Sequence, residues 1–314
     1  MLKVRAIHFL ILFICIISIL YCLIASDNIY TNTNTYNETY VNNKYDLKIL
    51  DVQGVQRKYY ISNAYNETNR ILMFFHGTGN ITNTNNVFDD ITNQYTVIQP
   101  LGLRNSDGYM SWNSVEGASC NSSADDMSFI YKLLEIYNPT NTNKIYCGGF
   151  SVGSGFVARL SVDPYMSSII DGFFMCSSGI QRSDFNKILE NDNKVNIFIS
   201  NGDTDNISPA LGGQGIAGDC YDFNPLKDTI NEWSNLVCGS NSIDMIDKYK
   251  NEIYYNMNCD KNIYGIIFKD TGHTGESDSI TSWIKSMTGS TKDDLAVVAL
   301  KIQSKLYSLA QNLL

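Results

Sequence analysis

Short continuous apolar runs alternate with segments of helical period along most of this chain, and that alternation leaves few folds open. "ILMFF" (71–75), "YTVIQP" (95–100), "KIYCGGF" (144–150), "IIDGFFMC" (169–176), "VNIFIS" (195–200) and "YGIIFK" (264–269) read as strands. Between them, "ADDMSFIYKLLEIY" (124–137) puts Met127, Ile130, Leu133, Leu134 and Tyr137 on one helical face. "SGFVARLSV" (154–162), "SDFNKILE" (183–190), "PLKDTINEWSNLV" (225–237) and "SITSWIKSM" (279–287) read as further helices. A run that is apolar at nearly every position is buried on both faces. Strands that alternate with helices therefore form a mostly parallel sheet with helices on both faces. "LKILDV" (47–52) and "QRKYYIS" (56–62) open the domain as an antiparallel pair. The expectation is one α/β domain over residues 46–314 without internal repeats. Its last segment, 291–314, repeats Leu295, Val298, Ile302, Leu306, Leu309 and Leu313 at helical spacing behind Thr291 and Asp294, and predicts an amphipathic helix packed on the domain.

The chain ahead of this domain has a different character. Lys3 and Arg5 precede an apolar run from Phe9 to Ile24. Counted from Ala6 to Ala25 the stretch is about 20 residues, long enough to cross a bilayer, so residues 1–26 read as a signal anchor or a signal peptide. The bulky Leu23 stands three back from a cleavage point after Ala25. Both readings export everything after Ser26: a membrane-anchored catalytic domain if the leader is kept, a secreted one if it is cleaved. Residues 27–45 are rich in Asn, Thr and Tyr, lack an apolar period and predict a flexible stalk. Asn37, Asn66, Asn80, Asn121 and Asn206 each head an Asn-x-Ser/Thr triplet, the acceptor pattern for glycosylation, in a chain whose Asn content alone generates such triplets. Cys120, Cys147, Cys176, Cys220, Cys238 and Cys259 lie beyond the leader and allow up to three disulfides in an exported domain. No Cys-x-x-Cys pair occurs and the only histidines are His8, His76 and His273, so no metal site is expected. A net charge of −9 without clustered Lys or Arg argues against a nucleic-acid partner.

The chemistry-bearing residues are few. Gly149-Phe150-Ser151-Val152-Gly153 is a Gly-x-Ser-x-Gly pattern between a buried strand ending near Cys147 and a helix beginning near Ser154. In that setting the serine is forced into a tight strand-to-helix turn that presents its hydroxyl at the carboxyl edge of the sheet. A serine hydroxyl needs a base to take its proton. His8 lies in the leader and His76 directly follows the strand "ILMFF", which leaves His273, in the loop after "YGIIFK". The imidazole needs an anion to set its tautomer, and the loop after "VNIFIS" offers Asp203 and Asp205. The oxyanion of an acyl transfer needs backbone N–H donors placed in advance. Val152, directly after Ser151, supplies one, and the turn His76-Gly77-Thr78-Gly79 the other.

"HGTG", "GFSVG", "NGDTDNISP" and "GH", in the order Ser, Asp, His, resemble the α/β-hydrolase superfamily. Within it the chain is similar to the poly(3-hydroxybutyrate) depolymerase, feruloyl esterase and acetylxylan esterase group, through "SWNSVEGASCNSSADDMSFI" (111–130), the "NGDTDNISP" loop, and "WSNLVCGS" followed by Cys259. The resemblance runs over roughly residues 46–285 and implies an α/β-hydrolase fold. It implies Ser151 as nucleophile, His273 as base, Asp205 rather than Asp203 as the orienting acid, the Val152 and Thr78 amides as oxyanion donors, and a Cys238–Cys259 disulfide. It also implies acyl transfer from short or polymer-linked esters (feruloyl, acetyl or hydroxyalkanoate) without metal or organic cofactor. Two departures bear on substrate choice: Ser154 stands where the group repeats a glycine, and Thr274 and Gly275 follow the histidine where an aromatic and a proline are common. The segment after "IIDGFFMC" runs only about 19 residues to the next strand, too short for a large lid. An open cleft is expected, walled by the loops carrying Trp112 and "PALGGQGIAGDCYDFN" (209–224). A serine peptidase of the same fold and a non-catalytic surface binding protein of hydrolase ancestry are the competing readings.

Overall fold

The computed structural model describes residues 44–63, 69–79, 88, 92–115, 124–189, 195–216, 221–239, 244–248, 251–255, 261 and 263–273. The leader, most of the stalk and the predicted helices at 279–287 and 291–314 lie outside the described residues. Among the described residues no helix is long and apolar enough to cross a membrane.

Strands β1 (Tyr45–Val52), β2 (Val55–Ser62), β3 (Arg70–Phe75), β4 (Thr96–Pro100), β7 (Lys144–Phe150), β8 (Gly172–Cys176), β9 (Asn196–Gly202), β10 (Asp244–Lys248), β11 (Asn251–Tyr255) and β12 (Ile263–Phe268) form one sheet. A minor two-stranded ribbon pairs β5 (Leu103–Arg104) with β6 (Met110–Ser111). Strand order in the main sheet is β1-β2-β4-β3-β7-β8-β9-β12-β11-β10. From β4 through β12 every neighbouring pair is parallel, while β1-β2-β4 and β12-β11-β10 are antiparallel. This is the α/β-hydrolase arrangement. The strand order, not the strand direction, reverses at β3, and because β3, β7, β8, β9 and β12 are parallel their carboxyl ends open on one edge, where such sheets bind ligands.

The helices are α1 (Asp126–Tyr137), α2 (Val152–Val162), α3 (Pro164–Ile169), α4 (Arg182–Leu189) and α5 (Leu226–Cys238). Strand alternation divides the core. Ile71, Met73 and Phe75 join Phe129, Leu133, Phe156, Val157, Ile230 and Trp233 from α1, α2 and α5 in one cluster. Leu72 and Phe74 turn to the opposite face, with Phe88, Tyr95, Phe174, Phe198 and Phe268. Thus the described helices contributing to the core lie on one face of the sheet.

The structure departs from the sequence reading in several places. Strand β7 covers the whole run 144–150 read as a strand rather than ending near Cys147, and α2 starts at Val152 rather than near Ser154, so Gly148 and Gly149 belong to the strand and Ser151 alone makes the turn. Gly148 and Gly149 serve close packing inside that strand. The hairpin β10–β11 has no counterpart in the sequence reading; its strands are short and charged, and Tyr249-Lys250 between them lacks the Asn-Gly chemistry that marks tight hairpins. Cys147 and Cys176 are buried outside any disulfide, which overturns the allowance of three bridges. They lie on neighbouring strands but in clusters on opposite faces, so their sulfurs point apart. Cys238 is disulfide-bonded. Cys259, its expected partner, lies outside the described residues, as do Cys120 and Cys220.

One buried ion pair ties the carboxyl edge together. Arg57 of β2 donates through Nη2 to Asp126 Oδ1 at 2.6 Å, with both side chains sealed from solvent. Asp126 Oδ2 accepts from the Asn113 amide at 2.7 Å, and Arg159 of α2 donates to the Asn113 carbonyl at 2.6 Å. The guanidinium lies 4.2 Å from the centre of the Phe129 ring. Burial pushes the Asp126 carboxyl up against the opposing pull of Arg57, so this pair orders the loop over α2 more than it adds net stability.

Candidate active site

Ser151 occupies the single position between β7 and α2 with φ 54° and ψ −123°, a conformation that costs an L-residue energy and is retained where surrounding packing imposes it. The flanking glycines permit the turn. A Cβ on Gly149 would stand 2.3 Å from the Gly153 carbonyl carbon, and one on Gly153 would stand 2.2 Å from the Phe75 carbonyl oxygen. No side chain fits at either position. Ser151 is also pinned by its amide, which donates to the Cys176 carbonyl at 3.0 Å.

Two loops from farther along the edge meet it. Ser151 Oγ lies 2.8 Å from His273 Nε2, and His273 Nδ1 lies 2.8 Å from Asp205 Oδ2. A carboxylate accepts and does not donate, so Nδ1 carries the proton and Nε2 is left to accept from the serine hydroxyl. Asp205 is itself held: its Oδ1 accepts from the Ile207 and Ser208 amides at 2.9 Å each. The side chain of Asp205 is fully buried, while that of His273 is 13% exposed and reaches the cavity. Asp203, the other acid of that loop, is exposed and accepts from the Thr271 amide at 3.3 Å, bracing the histidine loop without touching the imidazole. Of the two carboxylates left open by the residues alone, the structure brings Asp205 to His273.

A cavity of about 380 Å³ opens over Ser151, lined by Gly77, Thr78, Phe150, Val152, Tyr221 and Phe223 among others. Both expected oxyanion amides border it. The first N–H of a helix has no partner within that helix, and among the described residues neither the Val152 nor the Thr78 amide meets another acceptor. The loop carrying Trp112 reaches the cavity as expected, while the Trp112 side chain itself is fully buried: its ring stacks on Phe156 at 5.4 Å and its Nε1 donates to the His76 carbonyl at 2.9 Å. Ser114 of the same loop reaches the cavity. Of the glycosylation candidates only Asn206 is among the described residues, and it is exposed beside Asp205. No cluster of side chains suited to a metal ion occurs among the described residues.

His76 has a role that elimination left blank. It is buried; Nδ1 donates to the Gly77 carbonyl at 2.7 Å, and Nε2 accepts from the Gly102 amide at 3.0 Å. That pairing requires the neutral ring, and burial lowers its pKa to about 4. The imidazole thus ties the Gly77-Thr78 turn to the β4–β5 connection. Because the folded-state value lies below the unfolded one, the stabilisation is fully present above about pH 6.5 and is lost as pH falls toward about 4, the loss amounting to roughly 3 kcal/mol. Thermal unfolding from pH 7 to 4.5 should show a declining midpoint in the wild type and a visibly shallower decline in His76→Gln.

No known family profile matches the chain, and no curated protein does. Solved structures do align with it. A predicted CIB-like hydrolase from Thermoplasma acidophilum aligns at a TM-score of 0.43 and 15% identity, over 73% of this chain and 88% of that one. Est1E from Butyrivibrio proteoclasticus aligns at 0.46 and 11%, over 80% and 99%, and the Bacillus cereus carboxylesterase at 0.45 and 13%, over 73% and 94%. At such identities no inference about chemistry passes from them to this chain.

Proposed function

We propose that this protein is a serine hydrolase of carboxylic esters, working through an acyl-enzyme at Ser151. The observation that carries the reading is the unbroken path from Ser151 Oγ through His273 to Asp205, with each step 2.8 Å. Ser151 Oγ forms a bond to the ester carbonyl carbon while His273 Nε2 takes its proton, and the carbonyl π electrons move onto oxygen. The Val152 and Thr78 amides receive that oxyanion, a contribution worth about 10²–10³ in rate per donor. Collapse breaks the bond to the alkoxy oxygen, which leaves with the proton from Nε2. Water then repeats the sequence on the acyl-serine, releasing the acid and restoring the hydroxyl. Asp205 keeps Nδ1 protonated and steadies the imidazolium. His76 and Trp112 act indirectly by fixing the turn that carries Thr78.

The reading extends to short or polymer-linked esters of feruloyl, acetyl or hydroxyalkanoate type. A cavity of about 380 Å³ beside the nucleophile supports it, being of a size that holds a small ligand. We further propose that the leader exports this domain, either anchored or secreted.

Incubating the full chain with p-nitrophenyl acetate and butyrate, feruloyl and acetyl-xylan esters, and hydroxybutyrate oligomers tests the activity. The expected result is hydrolysis of at least the activated esters, with a fluorophosphonate adduct located on Ser151. Silence on every ester together with no adduct would reject the proposal.

A further inference from the structure

The cavity is lined by polar groups that the reaction itself does not use, among them Ser114, Ser178 and Tyr221. Gly155 sits one helical turn beyond Ser151 on α2, its amide donating to the Ser151 carbonyl at 3.1 Å, and it lines the cavity. Having no side chain, it lets Ser114 pack close to the helix, and the corner of the cavity that they line with Ser178 is a shallow recess. A Cβ there would stand 3.2 Å from Ser114 Cβ, 3.6 Å from Ser114 Oγ and 3.7 Å from Ser178 Oγ. Two hydroxyls from different loops therefore converge on this recess. A third follows, because Tyr221 OH lies 3.4 Å from Ser114 Oγ, a long contact that leaves both groups hydrogen-bonding capacity. Ser178 Oγ makes no hydrogen bond with the described residues. The Tyr221 and Phe223 rings, which also line the cavity, stack at 5.7 Å with 6° between planes and give it a flat apolar surface.

Hydroxyls with spare capacity beside an apolar wall discriminate between substrates by what they leave unpaired: an apolar group entering the recess strips their water without replacing its hydrogen bonds. One helical turn advances about 6 Å along the axis at 1.5 Å per residue over four residues, which places the recess within reach of a short chain attached to the reacting carbonyl. We propose that Ser114, Ser178 and Tyr221 form a subsite for a hydrogen-bonding oxygen of the substrate, making the protein selective for esters with an ether, hydroxyl or second carbonyl oxygen about one helical turn from the scissile bond. This rests on the ester-hydrolase reading for the identity of the substrate.

The test reads binding without turnover. In the full chain carrying Ser151→Ala, NMR titration gives dissociation constants for two pairs of intact esters that differ only by oxygen in place of a methylene. One pair is p-nitrophenyl 3-methoxypropanoate and pentanoate, which varies the acyl side. The other is 2-methoxyethyl and butyl acetate, which varies the alkoxy side. Adding Ser178→Ala and Tyr221→Phe together is expected to lower the preference for the oxygen-bearing member about tenfold in one pair, the loss of one or two hydrogen bonds. The responding pair identifies which side of the ester enters the recess. An unchanged preference in both pairs overturns the proposal. Tyr221→Phe alone, which keeps the stack on Phe223, should give a smaller shift in the same direction at an unaltered melting temperature, so a poorly folded double variant does not decide the matter. Failure of the hydrolase reading looks different: the preference shifts as stated, yet the wild type cleaves no ester.

Discussion

Replacing Ser151 by alanine is expected to lower kcat on p-nitrophenyl butyrate by about 10⁶-fold, the scale seen when a nucleophile is removed from a triad that works as one unit. The fold should survive. Ser151 Oγ contributes one hydrogen bond, to His273, whereas the amide that pins the turn donates to the Cys176 carbonyl and is unaffected by the side chain. Alanine also tolerates the φ of 54° no worse than serine does. The measurement is a pair: steady-state hydrolysis and the thermal midpoint. Activity within tenfold of wild type at an unchanged midpoint would mean that another group attacks the ester.

Asp205→Asn should cost about 10⁴-fold in kcat, because an amide presented to Nδ1 favours the wrong imidazole tautomer. With Asn the –NH₂ donates to Nδ1, the ring proton moves to Nε2, and the nitrogen facing Ser151 then has a hydrogen where it needs a lone pair. Geometry should change little, since the remaining side-chain oxygen can still accept from the Ile207 and Ser208 amides that now hold Oδ1 at 2.9 Å. Asp203→Asn provides the contrast. That side chain is exposed and among the described residues meets only the Thr271 amide, so about threefold or less is expected, in line with surface substitutions generally. Parallel kcat measurements on the two variants decide between the acids; equal losses would remove Asp205 from the proposed relay.

How much of this was readable in advance depended on whether a residue's role follows from its neighbours in sequence. Ser151 was legible because Gly149 and Gly153 flank it and an apolar strand precedes it. His273 was legible because the other histidines stand in the leader or directly behind a strand. The choice of Asp205 over Asp203 was not contained in the loop itself. It depends on which carboxylate the loop turns inward, set by the Ile207 and Ser208 amides, and only the family resemblance pointed there. The duties of Trp112 and His76 were illegible for a related reason: each is fixed by a partner far along the chain, His76 by Gly102 and Trp112 by the His76 carbonyl. The Gly155 recess was hidden in the same way, since Ser114, Ser178 and Tyr221 converge only once three loops are assembled. In the fold, the central strands announced themselves by apolar runs, whereas β10–β11 did not, because a charged edge hairpin has no apolar period to detect.

Pairing of β7 with β8 shields the thiols of Cys147 and Cys176 from oxidants. In the finished sheet neither sulfur can meet the other, and burial raises the Cys147 thiol so that it stays protonated and inert. Before strands β7 and β8 pair, both are ordinary thiols on the same chain as Cys238, which ends up in a disulfide. Oxidation that outran strand pairing would trap a wrong cross-link in the middle of the sheet, a hazard that ends once β7 and β8 pair and bury both sulfurs.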